Sequence, residues 1–203
     1  MAIHFYYVRH GETLFNVIGR SQGACDSPLT PLGIKQAEKT GELLRKVHFD
    51  RVYSSSSERA FDTAELILKG SPEIPIIRKK GLKEMFFGTL EASGSVDGPA
   101  MGECWARKDF TEYGGENREI LEERIRFTFY EIVRECEDGD NVLIVSHRGY
   151  FYYMLEALFG WDLDEVERKD PNILVTLVPN ASVARFDFDD IFHLIKLPST
   201  ELG

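Results

Sequence analysis

Residues 3–11 read Ile3-His4-Phe5-Tyr6-Tyr7-Val8-Arg9-His10-Gly11, and they indicate the fold of the whole chain. The first six residues form a short, aromatic and β-branched run, which is typical of a buried strand. Polar residues follow it at once, beginning with Arg9 and His10. A second apolar run is followed in the same way within Asn141-Val142-Leu143-Ile144-Val145-Ser146-His147. Two buried strands that each end in a histidine are therefore the first feature to explain.

Helical and strand patterns alternate along the rest of the chain. Thr30 and Pro31 predict a helix start, because a capping hydroxyl precedes a proline at the first helical position, and this helix is expected to run to about Val47. The other elements are predicted in this order: a strand over 51–53, a helix over 58–68, a strand over 74–77, a helix over 121–136, a buried helix over 150–159, and strands around 174–178, 182–188 and 192–197. This alternation predicts an α/β fold, a three-layer sandwich with a mostly parallel sheet and helices on both faces.

Polar segments follow three of the predicted strands. Arg9-His10 and Ser146-His147 each come directly after a buried strand, and the turn 54–59, which ends in Arg59, follows the strand over 51–53. In open α/β sheets, ligands bind beyond the carboxyl ends of the parallel strands. We therefore expect these three segments to meet at one rim and to form a site there.

Periodicity is lost between Gly88 and Gly115, a stretch that contains six glycines together with Trp105 and Arg107. A long loop inside a compact domain is usually a lid, a binding loop or a disordered insertion. The 203 residues are enough for one domain with a substantial core, but not for two comfortable ones. The prediction is a single domain over 1–203, with a loop at about 86–116 that covers the site.

The net charge of −10, from 34 acidic and 24 basic residues, limits the kinds of partner. A field of this sign repels nucleic acid and anionic lipid, so neither nucleic acid nor a membrane is expected as a partner. A small phosphorylated metabolite would also be repelled, unless arginines, histidines and backbone N–H groups cluster locally to bind it. The positions of the arginines are therefore informative. The sequence leaves open whether the protein is a monomer or a homodimer.

The cysteines and the termini favour a simple cellular context. Cys25, Cys104 and Cys136 form an odd, sparse set with neither a disulfide framework nor the spacing of metal ligands. No stretch reaches the length of a membrane span, and the first residues lack the charged region and cleavage site of a signal peptide. We expect a cytoplasmic protein with no bound metal.

The residues at the predicted rim suit phosphoryl transfer. A neutral imidazole at His10 can attack phosphorus and carry the phosphoryl group as a phosphohistidine, which divides one displacement into two easier ones. Arg9, Arg59 and His147 would neutralise the equatorial oxygens through charge-assisted hydrogen bonds. Glu84 is the candidate general acid, because a departing alkoxide needs a proton.

Each candidate also has an ordinary structural interpretation. A lone histidine more often makes a structural hydrogen bond, and we interpret His4, His48 and His193 in that way. An arginine near a helix start usually makes a surface salt bridge, and a single glutamate is usually solvated. The chemical interpretation is favoured by the predicted placement of the candidates together at strand ends.

Several blocks of sequence resemble the histidine phosphatase superfamily, which includes the cofactor-dependent phosphoglycerate mutases. They occur in order over nearly the whole chain: Val8-Arg9-His10-Gly11-Glu12-Thr13-Leu14-Phe15-Asn16, then 20–23, 26–30 with Gly33, 53–55, Arg59-Ala60, Thr63-Ala64, 114–116, 145–147 and 180–183. The resemblance implies a phosphoglycerate-mutase-like fold and a phosphorylated His10. It places Arg9, Arg59 and His147 around the phosphate.

The resemblance also implies roles for further residues. Asn16 would contact the transferred phosphoryl group, Gln22 and Gly23 would line its approach, and Glu84 would be the proton donor. The family needs no metal. No cofactor is therefore expected, apart from a 2,3-bisphosphoglycerate primer if the protein is a mutase.

The departures from the family pattern concern the substrate more than the chemistry. A Trp-Glu-Gly segment often follows the glycine at position 88, but this chain has Thr89-Leu90-Glu91-Ala92. Arg148 stands where a glycine is usual after the second histidine. It either grips a second anionic group of the substrate or points away and pairs with a surface carboxylate. The arginine pair of the mutases is not recognisable, and only Arg107-Lys108 beside Trp105 offers cations there as candidate substrate contacts.

Three function hypotheses follow. The first is a metal-independent phosphatase that hydrolyses a small phosphomonoester through a phosphohistidine, which the short chain and the missing arginine pair favour. The second is a cofactor-dependent phosphoglycerate mutase, which would return the phosphoryl group to another hydroxyl. The third is a non-catalytic module that binds a phosphorylated ligand, and retention of all five candidate catalytic residues argues against it. The sequence does not identify the phosphate ester.

Overall fold

The computed structural model describes residues 2–71, 73–92 and 98–201. The strands within these ranges are β1 (Ile3–Arg9), β2 (Arg51–Ser55), β3 (Ile76–Lys79), β4 (Asn141–Ser146), β5 (Val183–Phe188) and β6 (Phe192–Ser199). They form one six-stranded sheet in the order β3-β2-β4-β1-β5-β6. The first four are parallel to one another, and β5 and β6 are antiparallel additions at one edge. The prediction of a mostly parallel sheet is confirmed.

The helices alternate with these strands as the sequence predicts. They are α1 (Leu14–Val17), α2 (Pro31–Leu44), α3 (Glu58–Ile67), α4 (Pro99–Arg107), α5 (Arg118–Glu135), α6 (Arg148–Phe159), α7 (Leu163–Lys169) and α8 (Ile173–Thr176). Thr30 caps α2 by accepting a hydrogen bond from the N–H of Gly33, so the predicted helix start is confirmed. The helix ends at Leu44, before the predicted end at Val47.

Alternate residues of β1 pack on opposite faces of the sheet. Phe5 and Tyr7 lie in the larger apolar cluster, which includes buried residues of α5 and α6. Tyr6 and Val8 lie in the smaller cluster, with buried residues of α2 and α3. Because side chains alternate along a strand, helices on both faces bury all of β1 except His4, which is partly exposed. The three-layer sandwich is therefore confirmed.

One predicted strand is wrong. The sequence predicts a strand over 174–178, but Ile173–Thr176 forms the short helix α8. Ile173, Leu174 and Leu177 pack on the larger cluster, and this spacing puts them on one face of a helix. A short apolar, β-branched run is ambiguous between helix and strand, and here packing against the core selects the helix.

The stretch between Gly88 and Gly115 is more regular than predicted. It contains α4 and short 3₁₀ turns over Gly88–Leu90 and Thr111–Tyr113. Proline at the first position of α4 supports its start, but only Met101 and Cys104 of this helix are buried, so its periodicity is weak in the sequence. Residues 93–97 of the predicted covering loop lie outside the described residues.

Within the described ranges, none of the helices combines the length and the apolar character that a membrane-spanning segment needs.

Candidate active site

A cavity of about 680 Å³ opens where β1 and β4 end. Its lining includes these predicted site residues: Arg9, His10, Asn16, Gln22, Glu84, Trp105 and Arg148. The lining does not include Arg59, His147 or Gly23. The ring of His147 packs against the ring of His10, and Arg59 donates to the carbonyls of Gln22 and Gly23. Arg107 is not brought to the cavity, because its side chain is 53% exposed and pairs with Glu112.

His10 is held as a neutral imidazole with one free lone pair. Its backbone N–H donates to the carbonyl of Ser146 over 3.0 Å, which ties the end of β1 to β4. Its Nδ1 lies 2.8 Å from the carbonyl oxygen of Gly11. A carbonyl only accepts, so Nδ1 carries the hydrogen and Nε2 keeps its lone pair. Burial and the nearby cations Arg59 and Arg9 hold the pKa of His10 well below its ordinary value.

His147 lies beside His10 at the end of β4. The hydroxyl of Tyr7 holds its backbone from both sides, donating to the His147 carbonyl over 2.7 Å and accepting from the His147 N–H over 3.0 Å. The ring centroids of His10 and His147 are 5.3 Å apart in an edge-to-face arrangement. Burial, Arg59 and His10 lower the pKa of His147 well below its ordinary value. Both imidazoles are therefore neutral.

Arg59 is a buried cation that organises the loop before α2. Its guanidinium donates to the carbonyls of Gln22, Gly23 and Cys25, and it pairs with Asp26 over 2.9 Å. A fully buried charge needs such partners to offset its desolvation. The sequence predicts Arg59 as a site residue. It does not predict that most of the N–H donors of Arg59 bind the loop carbonyls and Asp26.

Arg9 leaves more of its charge open to the cavity. Nη1 donates to the carbonyl of Val178 over 2.7 Å, and among the described residues the guanidinium makes no other hydrogen bond. Burial, together with repulsion from Arg148, lowers the pKa of Arg9 to about 9. At neutral pH the group is still protonated, so the site keeps a cation next to His10.

Three buried nitrogen atoms of the site have no hydrogen-bond partner within the described residues. They are Nε of Arg9, Nε of Arg59 and Nδ1 of His147. Buried polar atoms in native proteins are almost always hydrogen-bonded. All three belong to residues that the sequence predicts around a phosphate. An oxyanion is the kind of ligand that accepts hydrogen bonds from N–H groups at such positions.

Glu84 lies at the N-terminus of α6. Its carboxylate accepts hydrogen bonds from the N–H groups of Gly149 and Tyr150 over 2.9 and 2.7 Å, and from that of Met85 over 3.0 Å. A Cβ on Gly149 would lie 2.9 Å from Oε1 of Glu84, so only glycine leaves room for this approach. The three bonds use one lone pair of Oε2 and both of Oε1, which leaves one on Oε2 for a proton.

Asn16 and Gln22 belong to one polar network at the cavity wall. Asn16 Oδ1 accepts from the Thr13 N–H over 3.1 Å. Gln22 Nε2 donates to Thr13 Oγ1 over 3.0 Å, and its Oε1 accepts from Ser27 Oγ over 2.6 Å. The side chain of Asn16 is exposed in the cavity, whereas Gln22 is buried.

Sequence reasoning missed two residues that hold this region together. Glu91 accepts from the N–H groups of Ala24, Cys25 and Phe87, so it ties the loop held by Arg59 to the segment before α4. Thr63 accepts from the Gly11 N–H over 3.1 Å and fixes the turn after His10. The bonds from Ala24 and Cys25 to Glu91 and the bond from Gly11 to Thr63 join segments more than 50 residues apart, so no local pattern marks them.

One wall of the cavity is apolar. Phe87, Trp105 and Phe110 form an aromatic cluster with centroid distances of 4.9 to 5.4 Å, and Phe87 and Trp105 line the cavity with Met101. Leu174 and Val175 of α8 also contribute to the lining. A cavity of this size accommodates a substrate larger than its phosphoryl group alone.

Among the described residues there is no group of three or more His, Cys, Asp or Glu side chains with the arrangement of metal ligands.

Comparison with known proteins agrees with this geometry. The sequence matches the description "Histidine phosphatase superfamily (branch 1)" over residues 5–196. The chain belongs to the histidine phosphatase superfamily. Its relatives in this superfamily include the 2,3-bisphosphoglycerate-dependent phosphoglycerate mutase of Cytophaga hutchinsonii, which is 32% identical over 96% of this chain and 94% of the relative. They also include the adenosylcobalamin/alpha-ribazole phosphatase of Escherichia coli, 32% identical over 78% of this chain and 80% of the relative.

A solved structure confirms the predicted architecture within the superfamily. A putative alpha-ribazole-5'-P phosphatase from Escherichia coli has a TM-score of 0.81 and 26% identity to this chain. The superposition covers 100% of this chain and 99% of the Escherichia coli chain. Phosphatases and phosphoglycerate mutases both occur among the relatives. The predicted family and the predicted fold are therefore confirmed.

Proposed function

We propose that this member of the histidine phosphatase superfamily is a phosphatase that hydrolyses a small phosphomonoester through a phosphohistidine at His10. The observation that carries the proposal is the state of the His10 ring. Its Nδ1–H donates to the Gly11 carbonyl over 2.8 Å, and its low pKa keeps Nε2 unprotonated at neutral pH. A buried, oriented imidazole with a free lone pair at a cation-rich cavity is an activated nucleophile.

The reaction takes place in two displacements. In the first, the Nε2 lone pair of His10 forms a bond to phosphorus, the bond from phosphorus to the ester oxygen breaks, and Glu84 gives that oxygen a proton. In the second, water attacks phosphorus, Glu84 takes its proton back from the water, and the bond from phosphorus to nitrogen breaks. Arg9, Arg59 and His147 donate to the phosphoryl oxygens in both steps.

The mutase hypothesis is kept because two observations favour it. Phosphoglycerate mutases are among the relatives at 32% identity, and Arg148 offers a cation in the cavity. A mutase must retain its phosphorylated intermediate, which requires tight binding of a second anionic group of that intermediate. Between Gly88 and Gly115 the two cations that the sequence singles out are engaged elsewhere, Arg107 with Glu112 and Lys108 with Asp164 and Glu167. This arrangement supports hydrolysis as the net reaction.

Release of phosphate, measured beside isomerisation, tests the proposal. The purified protein should release inorganic phosphate from small phosphomonoesters and should yield an acid-labile phosphoprotein when the reaction is quenched early. A coupled phosphoglycerate mutase assay, with and without 2,3-bisphosphoglycerate, is the comparison. If primer-dependent isomerisation outpaced phosphate release, the protein would be a mutase. If neither release nor phosphoprotein were found over a broad panel of esters, it would be a non-catalytic binding module.

Arg148 is proposed to select substrates with a second anionic group near the ester. The residue lines the cavity, where the carboxylate of Glu84 attracts it and the guanidinium of Arg9 repels it. Replacing Arg148 with glutamine should lower kcat/KM for 3-phosphoglycerate by about 10- to 100-fold, because a charge-assisted hydrogen bond is lost. The loss for glycerol 3-phosphate, which has a neutral CH₂OH group in place of the carboxylate, should be at least about tenfold smaller.

Arg107→Gln is the matched control for this experiment. Arg107 pairs with Glu112 outside the cavity, so its loss should leave the ratio of the two kcat/KM values unchanged. Equal losses on both substrates in Arg148→Gln would show that Arg148 contacts the transferred phosphoryl group instead.

A further inference from the structure

The ring of His147 presents two different nitrogens to the protein. Nε2 lies 2.8 Å from the hydroxyl oxygen of Ser55, whereas Nδ1 is buried without a partner among the described residues. Because the ring is neutral, only one of the two nitrogens carries a hydrogen. Which nitrogen carries it decides whether His147 can donate a hydrogen bond to an anion beside His10.

The surroundings of Ser55 direct its hydroxyl hydrogen towards His147. The backbone N–H of Ser57 donates to Ser55 Oγ over 3.2 Å, so one lone pair of this oxygen is already used. Ser55 is fully buried, and Nε2 of His147 is the other partner that the described residues offer its hydroxyl. If Nε2 carried the ring hydrogen, the hydroxyl hydrogen of Ser55 would be buried without an acceptor in every state of the protein. With the ring hydrogen on Nδ1, that hydrogen lacks an acceptor only until an anion binds beside His10. The hydroxyl of Ser55 is therefore the donor and Nε2 the acceptor.

We propose that Ser55 is a positioning residue that holds His147 in the tautomer with its hydrogen on Nδ1. Only the identity of the anion rests on the proposed function: Nδ1–H donates to an oxygen of the phosphoryl group. The opposite tautomer would turn a lone pair towards that oxygen and would repel it. The hydroxyl of Tyr7 fixes the backbone of His147, and the hydroxyl of Ser55 fixes its ring.

The two histidines of the site then have the same tautomer and opposite roles. In His10 the Gly11 carbonyl accepts from Nδ1–H, which frees the Nε2 lone pair for attack. In His147 the Ser55 hydroxyl donates to Nε2, which leaves Nδ1–H for the anion. An accepting partner on one ring and a donating partner on the other thus separate the nucleophile from the stabilising donor.

The tautomer can be observed directly by NMR. Long-range ¹H–¹⁵N correlation spectra of the protein labelled with ¹⁵N-histidine distinguish the two neutral tautomers, and the signals of His147 are those missing in His147→Asn. The wild-type protein should show the pattern of hydrogen on Nδ1, and Ser55→Ala should show a mixture. A wild-type pattern with hydrogen on Nε2, or an unchanged pattern in Ser55→Ala, would overturn the proposal. Turnover is not needed, so this result is independent of the proposed function.

Ser54→Ala is the matched control for the activity. Ser54 is equally buried at the end of β2, but among the described residues its hydroxyl donates to the Ser55 carbonyl, over 3.0 Å, and makes no contact with His147. Ser55→Ala should lower kcat/KM by about 10- to 100-fold and weaken inhibition by inorganic phosphate, whereas Ser54→Ala should stay within about threefold of wild type. Ser55→Thr, which keeps the hydroxyl, should restore most of the activity. Equal losses in Ser54→Ala and Ser55→Ala would mean that the hydroxyl of Ser55 is merely structural.

Discussion

Replacing His10 with alanine is expected to lower kcat by at least about a thousandfold and to abolish the acid-labile phosphoprotein, because the substitution removes the nucleophile. The fold should survive. Among the described residues the side chain of His10 makes one hydrogen bond, to the Gly11 carbonyl, and His10 itself lines an open cavity that water can enter. Steady-state kinetics and circular dichroism of the variant check both expectations.

His193→Ala is the matched control for this prediction. His193 is exposed on β6 and pairs with Asp189, so its loss removes a histidine without touching the cavity. Activity of His10→Ala within tenfold of the wild-type value would exclude the covalent route. Inorganic phosphate should still inhibit any residual activity, because Arg9, Arg59 and His147 remain.

The parts of the fold that could be predicted are those with strong local signals. The apolar runs of β1 and β4 and the Thr30-Pro31 cap of α2 each depend on neighbouring residues, so the sequence alone locates them. Helices α4 and α8 could not be predicted in this way. Few residues of α4 are buried, and packing on the core decides the conformation of α8.

In the candidate site, too, residues with a local sequence signal could be predicted, whereas residues that act through distant contacts could not. Arg9 is the last residue of β1, and His10 and His147 come directly after strands. In a parallel sheet the carboxyl end of a strand already implies the rim. Glu91 and Asp26 were not recognised as site residues, because each acts through hydrogen bonds to segments more than 30 residues away.

For Arg148 the sequence left two alternatives open, and its place in the cavity wall agrees with the first of them, a contact to substrate. Arg107 was predicted to contact substrate, but the exposed pair with Glu112 holds it elsewhere.

Glu84→Gln is expected to separate the chemical role of this residue from its structural one. As the general acid, Glu84 protonates the leaving oxygen, so alkyl phosphates should lose about 10²- to 10⁴-fold in kcat. A phenolate leaves without much protonation, so aryl phosphates such as 4-nitrophenyl phosphate should lose at least about tenfold less. The ratio of the two losses, measured by steady-state kinetics, is the diagnostic quantity.

The substitution also has a structural cost that must be controlled. Glutamine replaces one carboxylate oxygen with an NH₂ group, which leaves either the Gly149 N–H or the Tyr150 and Met85 N–H groups facing a donor. Glu116→Gln is the matched control, because Glu116 accepts from the Phe86 N–H and pairs with Arg124 outside the cavity lining. That variant should lose stability without changing the ratio of alkyl to aryl activity. Equal losses on both substrates in Glu84→Gln would leave Glu84 as the residue that caps α6, and the proton of the leaving group would have to come from elsewhere.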